Sequence, residues 1–317
     1  MQNDIHKILS YARLAPSSHN TQPWIARLKG PKVLIGYDPS RHLQVGDPDR
    51  HELFMSLGCF IETFTLAAAS LGYSTSYKFK SDKIDDLAEL QLTPTKDRAP
   101  WLKAIQNRRS DRRPFRDQLI SKADVKILSS LRLNAASVIL IDNPLEIEFL
   151  ADMTHEATKE LMTPAAFRQE LSQWVRHNWT KRPDGMPGYT QGMPGLISLI
   201  GPKVIKSSAK TAADQAKKDA KRVRSSVAVA LVITGDNSPR GWIDAGRLFQ
   251  RLWLEATKHG ISASAISPAV ISDDTRNQVI KNLSLKHRPV GLLRLGYAKA
   301  GPPKASPRRR PEQFIAT

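Results

Sequence analysis

The stretch GCFIETFTLAAASLGYSTS at residues 58–76 matches, without a gap, GRLFQRLWLEATKHGISAS at residues 246–264. In both copies two glycines stand fourteen residues apart, Gly58 with Gly72 and Gly246 with Gly260. Leu66 matches Leu254, Ala68 matches Ala256, and Phe60, Ile61 and Phe64 match Leu248, Phe249 and Leu252. These apolar positions recur at the 3.6-residue period of a helix. The second glycine of each copy suits a left-handed C-cap, and the apolar-Ser-x-Ser that follows reads as entry into a strand. Buried helices resemble one another by composition, but glycines, leucines, alanines and serine pairs matched in one register point to duplication.

A helix that is apolar nearly all round, as Leu53 to Leu71 is, must be buried on most faces. Two such helices are natural mutual partners, so the expected fold is α+β. It comprises two fused halves, each a mainly antiparallel sheet with helices, with the long helices against each other at the centre. Strands are expected at Trp24 to Leu28, Lys32 to Tyr37, Ser74 to Lys80 and Leu87 to Pro94 in residues 1–98. In residues 99–317 they are expected at Ser137 to Ile141, Ser226 to Thr234 and Val290 to Tyr297. Thr95 to Pro100 bridges the halves, and a new helix begins near Trp101. The run from Arg182 to Gly195 repeats Gly-Met-Pro-Gly and can continue neither a helix nor a central strand. With Trp174, Trp179 and Tyr189 beside it, the region 174–224 reads as a lid.

Composition narrows the class. The chain has 317 residues, 48 Lys+Arg against 30 Asp+Glu, and one cysteine. A lone cysteine excludes intrachain disulfides, and Cys59 sits in the apolar helix as a small buried hydrophobe. No uninterrupted apolar run reaches the length of a membrane span, and Met1-Gln2-Asn3-Asp4 does not resemble a secretory leader. A cytoplasmic protein with neither membrane nor nucleic-acid partner is expected. The positive excess is patchy: Arg108 to Arg113, Lys206 to Arg224 and Arg308 to Arg310. Lys206 to Arg224 reads as one basic, exposed helix with a solvated face.

Two short runs carry the chemistry. APSSHNTQPW at residues 15–24 sets hydroxyls, an imidazole and two amides between prolines. Proline at both ends suggests a stiff, extended loop, its dipoles suited to a planar ligand with many acceptors. RRSDRRPF at residues 108–115 sets four guanidiniums and a hydroxyl within six residues. Cations so close repel unless an anion sits among them, and the planar guanidinium fork matches phosphate oxygens. No Gly-x-Gly-x-x-Gly, Walker or His-Glu-x-x-His motif occurs, and no histidine or acid cluster has metal-ligand spacing, so no metal is expected.

Both runs resemble signatures of the nitroreductase superfamily. There an Arg-Ser-x-Arg segment grips the FMN phosphate, and a Pro-Ser-Ser-x-Asn-x-Gln-Pro-Trp loop lies along the isoalloxazine. The order is reversed here, with the loop first, as in the twin-domain, Acg-like nitroreductases. The resemblance implies two nitroreductase-like halves fused into one monomer. The first half keeps the loop, the second keeps the phosphate grip, and one FMN binds per chain. It implies that Arg108, Ser110 and Arg112 hold the phosphate with Arg109 adjacent. Pro16, Ser17, Ser18, His19, Asn20 and Gln22 would lie at the isoalloxazine. A backbone N–H near Ser267, in Ala265 to Pro268, would face flavin N5, and Arg308 and Arg310 would supply the basic tail. The implied activity is hydride transfer from NAD(P)H, a transient reductant, through FMN to a nitroaromatic or quinone acceptor, with no side chain acting as acid or base. The alternative is an FMN storage or sequestration protein with a closed lid.

Overall fold

The structure, a computed structural model, describes residues 2–316. The first half runs α1 (Gln2–Ala12), β1 (Trp24–Lys29), β2 (Lys32–Tyr37), α2 (His51–Ser70), β3 (Tyr73–Phe79) and β4 (Ala88–Pro94). A bridge leads through α3 (Leu102–Asn107), β5 (Phe115–Arg116), α4 (Lys122–Ser129) and β6 (Arg132–Leu133) to β7 (Ala136–Ile141). Next come α5 (Pro144–Met162), α6 (Ala165–Trp174), β8 (Val175–Arg176), β9 (Met186–Pro187), α7 (Ile197–Ser207) and α8 (Lys210–Arg224). The chain closes with β10 (Ala228–Thr234), α9 (Pro239–Lys258), β11 (Ser262–Ala265), α10 (Pro268–Ile271), α11 (Asp273–Asn282), β12 (Arg288–Ala298) and β13 (Ile315–Ala316).

Strand order bears out the duplication. One sheet reads β13-β1-β2-β4-β3 and the other β6-β7-β10-β12-β11, with β5 added on β12. Thus β1-β2-α2-β3-β4 and β7-β10-α9-β11-β12 are the same unit, in which the helix joins the second strand to an edge strand. The units differ by two insertions in the second, the shorter being α10 and α11 between β11 and β12, where the first unit has only the loop 80–87. The first unit joins β1 to β2 by a turn at Gly30, whereas the second places α5 to α8 between β7 and β10.

Helices α2 and α9 cross at the centre, and the matched glycines make the crossing possible. A Cβ on Gly58 would lie 2.2 Å from the Ile243 carbonyl oxygen, and one on Gly246 would lie 2.2 Å from that of Met55. Each glycine therefore faces the other helix at the equivalent place, the signature of a pseudo-twofold axis. Glu62, buried on α2, bridges Arg247 at 3.2 Å and Arg251 at 2.5 Å on α9, and Gln250 donates to Thr63 at 2.9 Å. Gly72 and Gly260 both have positive φ, +87° and +71°, and end their helices alike.

By length and mean hydropathy helix α2 could cross a membrane, although Glu62 interrupts its apolar run, in keeping with the sequence reading. Here 83 % of its apolar window is buried inside the protein, where α9 and the first sheet supply the apolar surroundings. Strand β10 is buried at all seven positions. Ala228, Ala230 and Val232 face the central core, while Val229, Leu231 and Ile233 join a second core with α5, α8, α10 and α11. A continuous apolar run is what burial on both faces demands.

The basic region 206–224 also differs from expectation. It is two helices, α7 ending at Ser207 and α8 starting at Lys210. Alanines at 212, 216 and 220 and Val223 bury one face of α8, and Arg224 reaches Glu148 and Asp152 on α5. Past β12 the tail crosses back and adds β13 to the first sheet, parallel to β1, pairing Ile315 with Ala26.

Candidate functional site

The two signature runs meet. Segment 108–113 leaves α3 and is tied to the second sheet by a bridge between Ser110 and Ala263 and by Asp111 N–H donating to Ala263 at 2.9 Å. Segment 15–22 leaves α1 and sits against the start of α2, where Ser18 N–H donates to Ser56 Oγ at 3.3 Å. Between them lie two chambers that share Ser110, Arg112, Gln191 and Arg222.

The first chamber, about 490 Å³, is cationic. Arg108, Arg109, Ser110, Arg112, Arg222, Lys304 and Arg308 line it, and the acidic residue in the wall, Asp111, is paired with Arg113 at 2.7 Å. Arg108 is buried, lies 4.5 Å over the Trp253 ring and donates to Leu14 O at 2.9 Å. Its Nε and Nη1 and the Nε of Arg308 have no partner among the described residues. Burial pushes Arg108 and Arg112 down to about 10, helped by Arg109 at the first and Arg222 at the second. It pushes Arg308 to about 9, with Arg108 and Arg109 adding repulsion. Buried, mutually repelling cations with unpaired donors and no free carboxylate fit a phosphate.

The second chamber, about 560 Å³, is mainly apolar. Pro16, Ser17, Ser18 and His19 form one wall, with Met55, Phe249, Trp253 and Ala265 to Pro268 around them. Helix α7 and Met162, Phe167 and Met193 from the insertion line its far side. His19 is pushed down to about 4 by burial and by Arg112, so it is neutral at pH 7. Its Nδ1 has no partner among the described residues. Ser267 N–H finds no acceptor among the described residues.

The 15–24 loop is not extended as its prolines suggested. Ser18–Asn20 form a tight 3-10 turn, and His19, Asn20 and Gln22 all have positive φ. Three such non-glycine residues in one loop are held by their surroundings. Asn20 and Gln22 therefore line neither chamber, contrary to expectation. Asn20 Nδ2 donates to Gly185 O and Pro307 O at 2.8 and 3.1 Å, and its Oδ1 accepts from Arg308 at 2.8 Å. Gln22 donates to Pro183 O at 2.7 Å and accepts from Arg309 N–H at 2.8 Å. Both residues latch the insertion and the tail onto the loop. Arg310 is also misplaced by the sequence reading. It is exposed and outside both chambers, its N–H donating to Gln313, while Arg309 turns inward to Gln22 and Trp24. Pro16, Ser17, Ser18, His19, Arg108, Arg109, Ser110, Arg112, Ser267 and Arg308 do line the chambers.

The latch gives a first expected result. Asn20→Ala removes three hydrogen bonds, so it should lower stability by about 1–3 kcal/mol and speed proteolytic cutting within residues 181–195. Thermal melts and limited proteolysis read both effects.

Sequence reasoning missed Glu52, Arg222 and Trp253. Glu52 lines the apolar chamber and accepts from Ser18 Oγ, and burial pushes its carboxyl up. Behind it Asp47 accepts from the N–H groups of Glu52 and Leu53 at 2.9 and 2.8 Å. Burial, then Glu52, pushes Asp47 from 3.8 up to about 8. The folded chain thus keeps a proton that the unfolded chain releases near pH 4, and stability should fall as pH rises from about 4 to about 8. Asp47→Asn should flatten that slope in melts across the range. Glu52 and Arg222 carried no sequence signal, since each sits in a helix whose pattern announces only burial or charge. Trp253 lay in plain view within the second apolar helix.

The chain matches the Nitroreductase family over residues 105–297. That span holds the cationic segment, α9 and Ser267. This chain belongs to the nitroreductase family. It is also similar over nearly its full length to two candidate NAD(P)H nitroreductases of Mycobacterium tuberculosis. With Rv3131 of strain H37Rv it shares 24 % identity across 98 % of this chain and 90 % of that one. With acg of the same strain it shares 23 % across 96 % and 93 %. Among solved structures, a nitroreductase with bound FMN from Desulfitobacterium hafniense has a TM-score of 0.45. Its identity is 14 %, over 69 % of this chain and 98 % of that one. The family match begins three residues before Arg108 and ends before the tail, so this nitroreductase adds the 15–24 loop and Arg308 from outside the matched span.

Proposed function

We propose that this nitroreductase-family chain is an FMN-dependent oxidoreductase that binds one FMN per chain and acts as a monomer. The observation that carries the reading is the convergence of Arg108, Arg112 and Arg308, paired with no carboxylate among the described residues, beside an apolar chamber. Bound there, FMN would supply two-electron chemistry, taking hydride from NAD(P)H and reducing a nitroaromatic or quinone.

The chain's own groups bind, orient and exclude water. Arg108, Ser110, Arg112 and Arg308 hold the phosphate, and Trp253 under Arg108 keeps that guanidinium in place. The Ser18 hydroxyl is committed to Glu52, so towards a ligand it can only accept. Ser267 offers a backbone N–H across the chamber. Met55, Phe249 and Ile266 keep the reacting face dry. Neutral His19 places no positive charge beside the ring, which leaves stabilisation of developing negative charge to Arg112.

The test is the visible spectrum of the purified protein under anaerobic NADPH. A yellow protein that bleaches and regains colour on adding a quinone or nitroaromatic supports the reading. The ties of Asn20 and Gln22 to the insertion favour a second reading, FMN storage under a closed lid. Bleaching by dithionite but not by NADPH would select it.

A further inference from the structure

Helix α7 presents its apolar residues outward as well as inward. Ile197, Ile200, Val204 and Ile205 line the mouth of the apolar chamber, while Leu196 and Leu199 lie outside it. Leu196, the N-cap, is 79 % exposed, and Leu199 is exposed beside it. Trp179, 59 % exposed, joins them, because a Cβ on Gly195 would touch its ring at 3.2 Å. This placement is built. Asn178 Nδ2 donates to Met193 O at 3.1 Å and its backbone N–H donates to Ser198 Oγ at 2.9 Å, fixing the Trp179 segment to the start of α7. Lys203 and Lys206 on α7 and Lys210 on α8 are exposed. No acidic residue occurs between Asp184 and Asp214.

We propose that the α7 face, Trp179 with Leu196 and Leu199 inside a lysine rim, docks this protein onto an anionic lipid bilayer. An exposed aromatic, exposed leucines and a cationic rim are what the headgroup boundary takes up, the apolar part entering the acyl edge and the lysines meeting phosphate. A second copy of this chain is the poorer occupant. Twofold contact through this face would set lysine rim against lysine rim, on a chain of net charge +18. The sequence expectation of no membrane partner rested on spanning length, which surface docking does not require. If the proposed function holds, the chamber mouth would open on the lipid, and an apolar acceptor dissolved there could enter directly.

The test is co-sedimentation of the full chain with phosphatidylcholine vesicles, with and without phosphatidylglycerol. Binding to the phosphatidylglycerol vesicles alone, weakened by salt, is expected. The double variant Leu196→Glu/Leu199→Glu should lose at least about tenfold in partitioning with an unchanged melting temperature, since both side chains are exposed. Lys203→Gln/Lys206→Gln should weaken binding in the same direction. No sedimentation with phosphatidylglycerol vesicles, undiminished binding by the leucine variant, or a dimer in solution that this variant dissolves would each overturn the proposal. Because no turnover is measured, failure here leaves the oxidoreductase reading untouched.

Discussion

Arg108→Met should bind FMN about a hundredfold more weakly while making the flavin-free protein more stable, by about 1 kcal/mol. The two signs come from one fact. Arg108 is buried with two guanidinium nitrogens unpaired, and burial and Arg109 both disfavour its charge. In the flavin-free chain an apolar side chain of similar length removes that cost and keeps contact with Trp253. With phosphate present, the same change deletes charge-assisted hydrogen bonds worth about 3 kcal/mol together, roughly a hundredfold in affinity. Flavin titration and melts of the stripped protein measure the two effects separately. A variant that loses stability and keeps flavin would mean Arg108 serves the fold and not a phosphate. Arg310→Met, changing an exposed side chain outside both chambers, should do neither.

Gly58→Ala and Gly246→Ala should each destabilise the protein by about 3 kcal/mol or more, and by similar amounts. Each added methyl would stand 2.2 Å from a carbonyl oxygen of the other central helix. Backbone cannot step aside as a side-chain tip can, so the helices must separate and the core between them must loosen. In a chain of this size that is a fall of at least about 5 °C in melting temperature. Gly260→Ala is the control. Its Cβ meets nothing within 4 Å, so only its positive φ is strained, at about 1 kcal/mol. Unequal effects at Gly58 and Gly246 would argue against a symmetric crossing.

Much of the fold was readable because burial leaves a mark in the order of residues. The edges of β2 agree with the sequence reading, and those of β1, β3, β4, β7 and β12 fall within two residues of it. Strand β13 escaped because two residues are too short to carry a pattern. Strands β8 and β9 escaped for the same reason. The duplicated unit was visible because glycines at a close crossing and at a left-handed cap admit few substitutes.

The site was half legible. Arg108, Ser110 and Arg112 stood out because several cations in one short loop need an anion. Arg222 did not, because a lysine-rich helix looks the same whether its arginine faces water or a chamber. The roles of Asn20 and Gln22 were misjudged. An amide in a polar loop shows that it will be hydrogen-bonded but not to what, and here the partners lie more than 160 residues away.

By itself the order of residues determined the α+β class, the repeated helix-and-strand unit, and the presence of a cationic run and a polar loop, because periodicity and residue chemistry are local properties. That the two runs share one site was implied by the family resemblance alone. Which amides face a ligand, which of the tail arginines turns inward, and where the insertion closes were decided only on folding. Those outcomes depend on partners brought from distant parts of the chain, and on which donors remain unpaired after the backbone has taken its share.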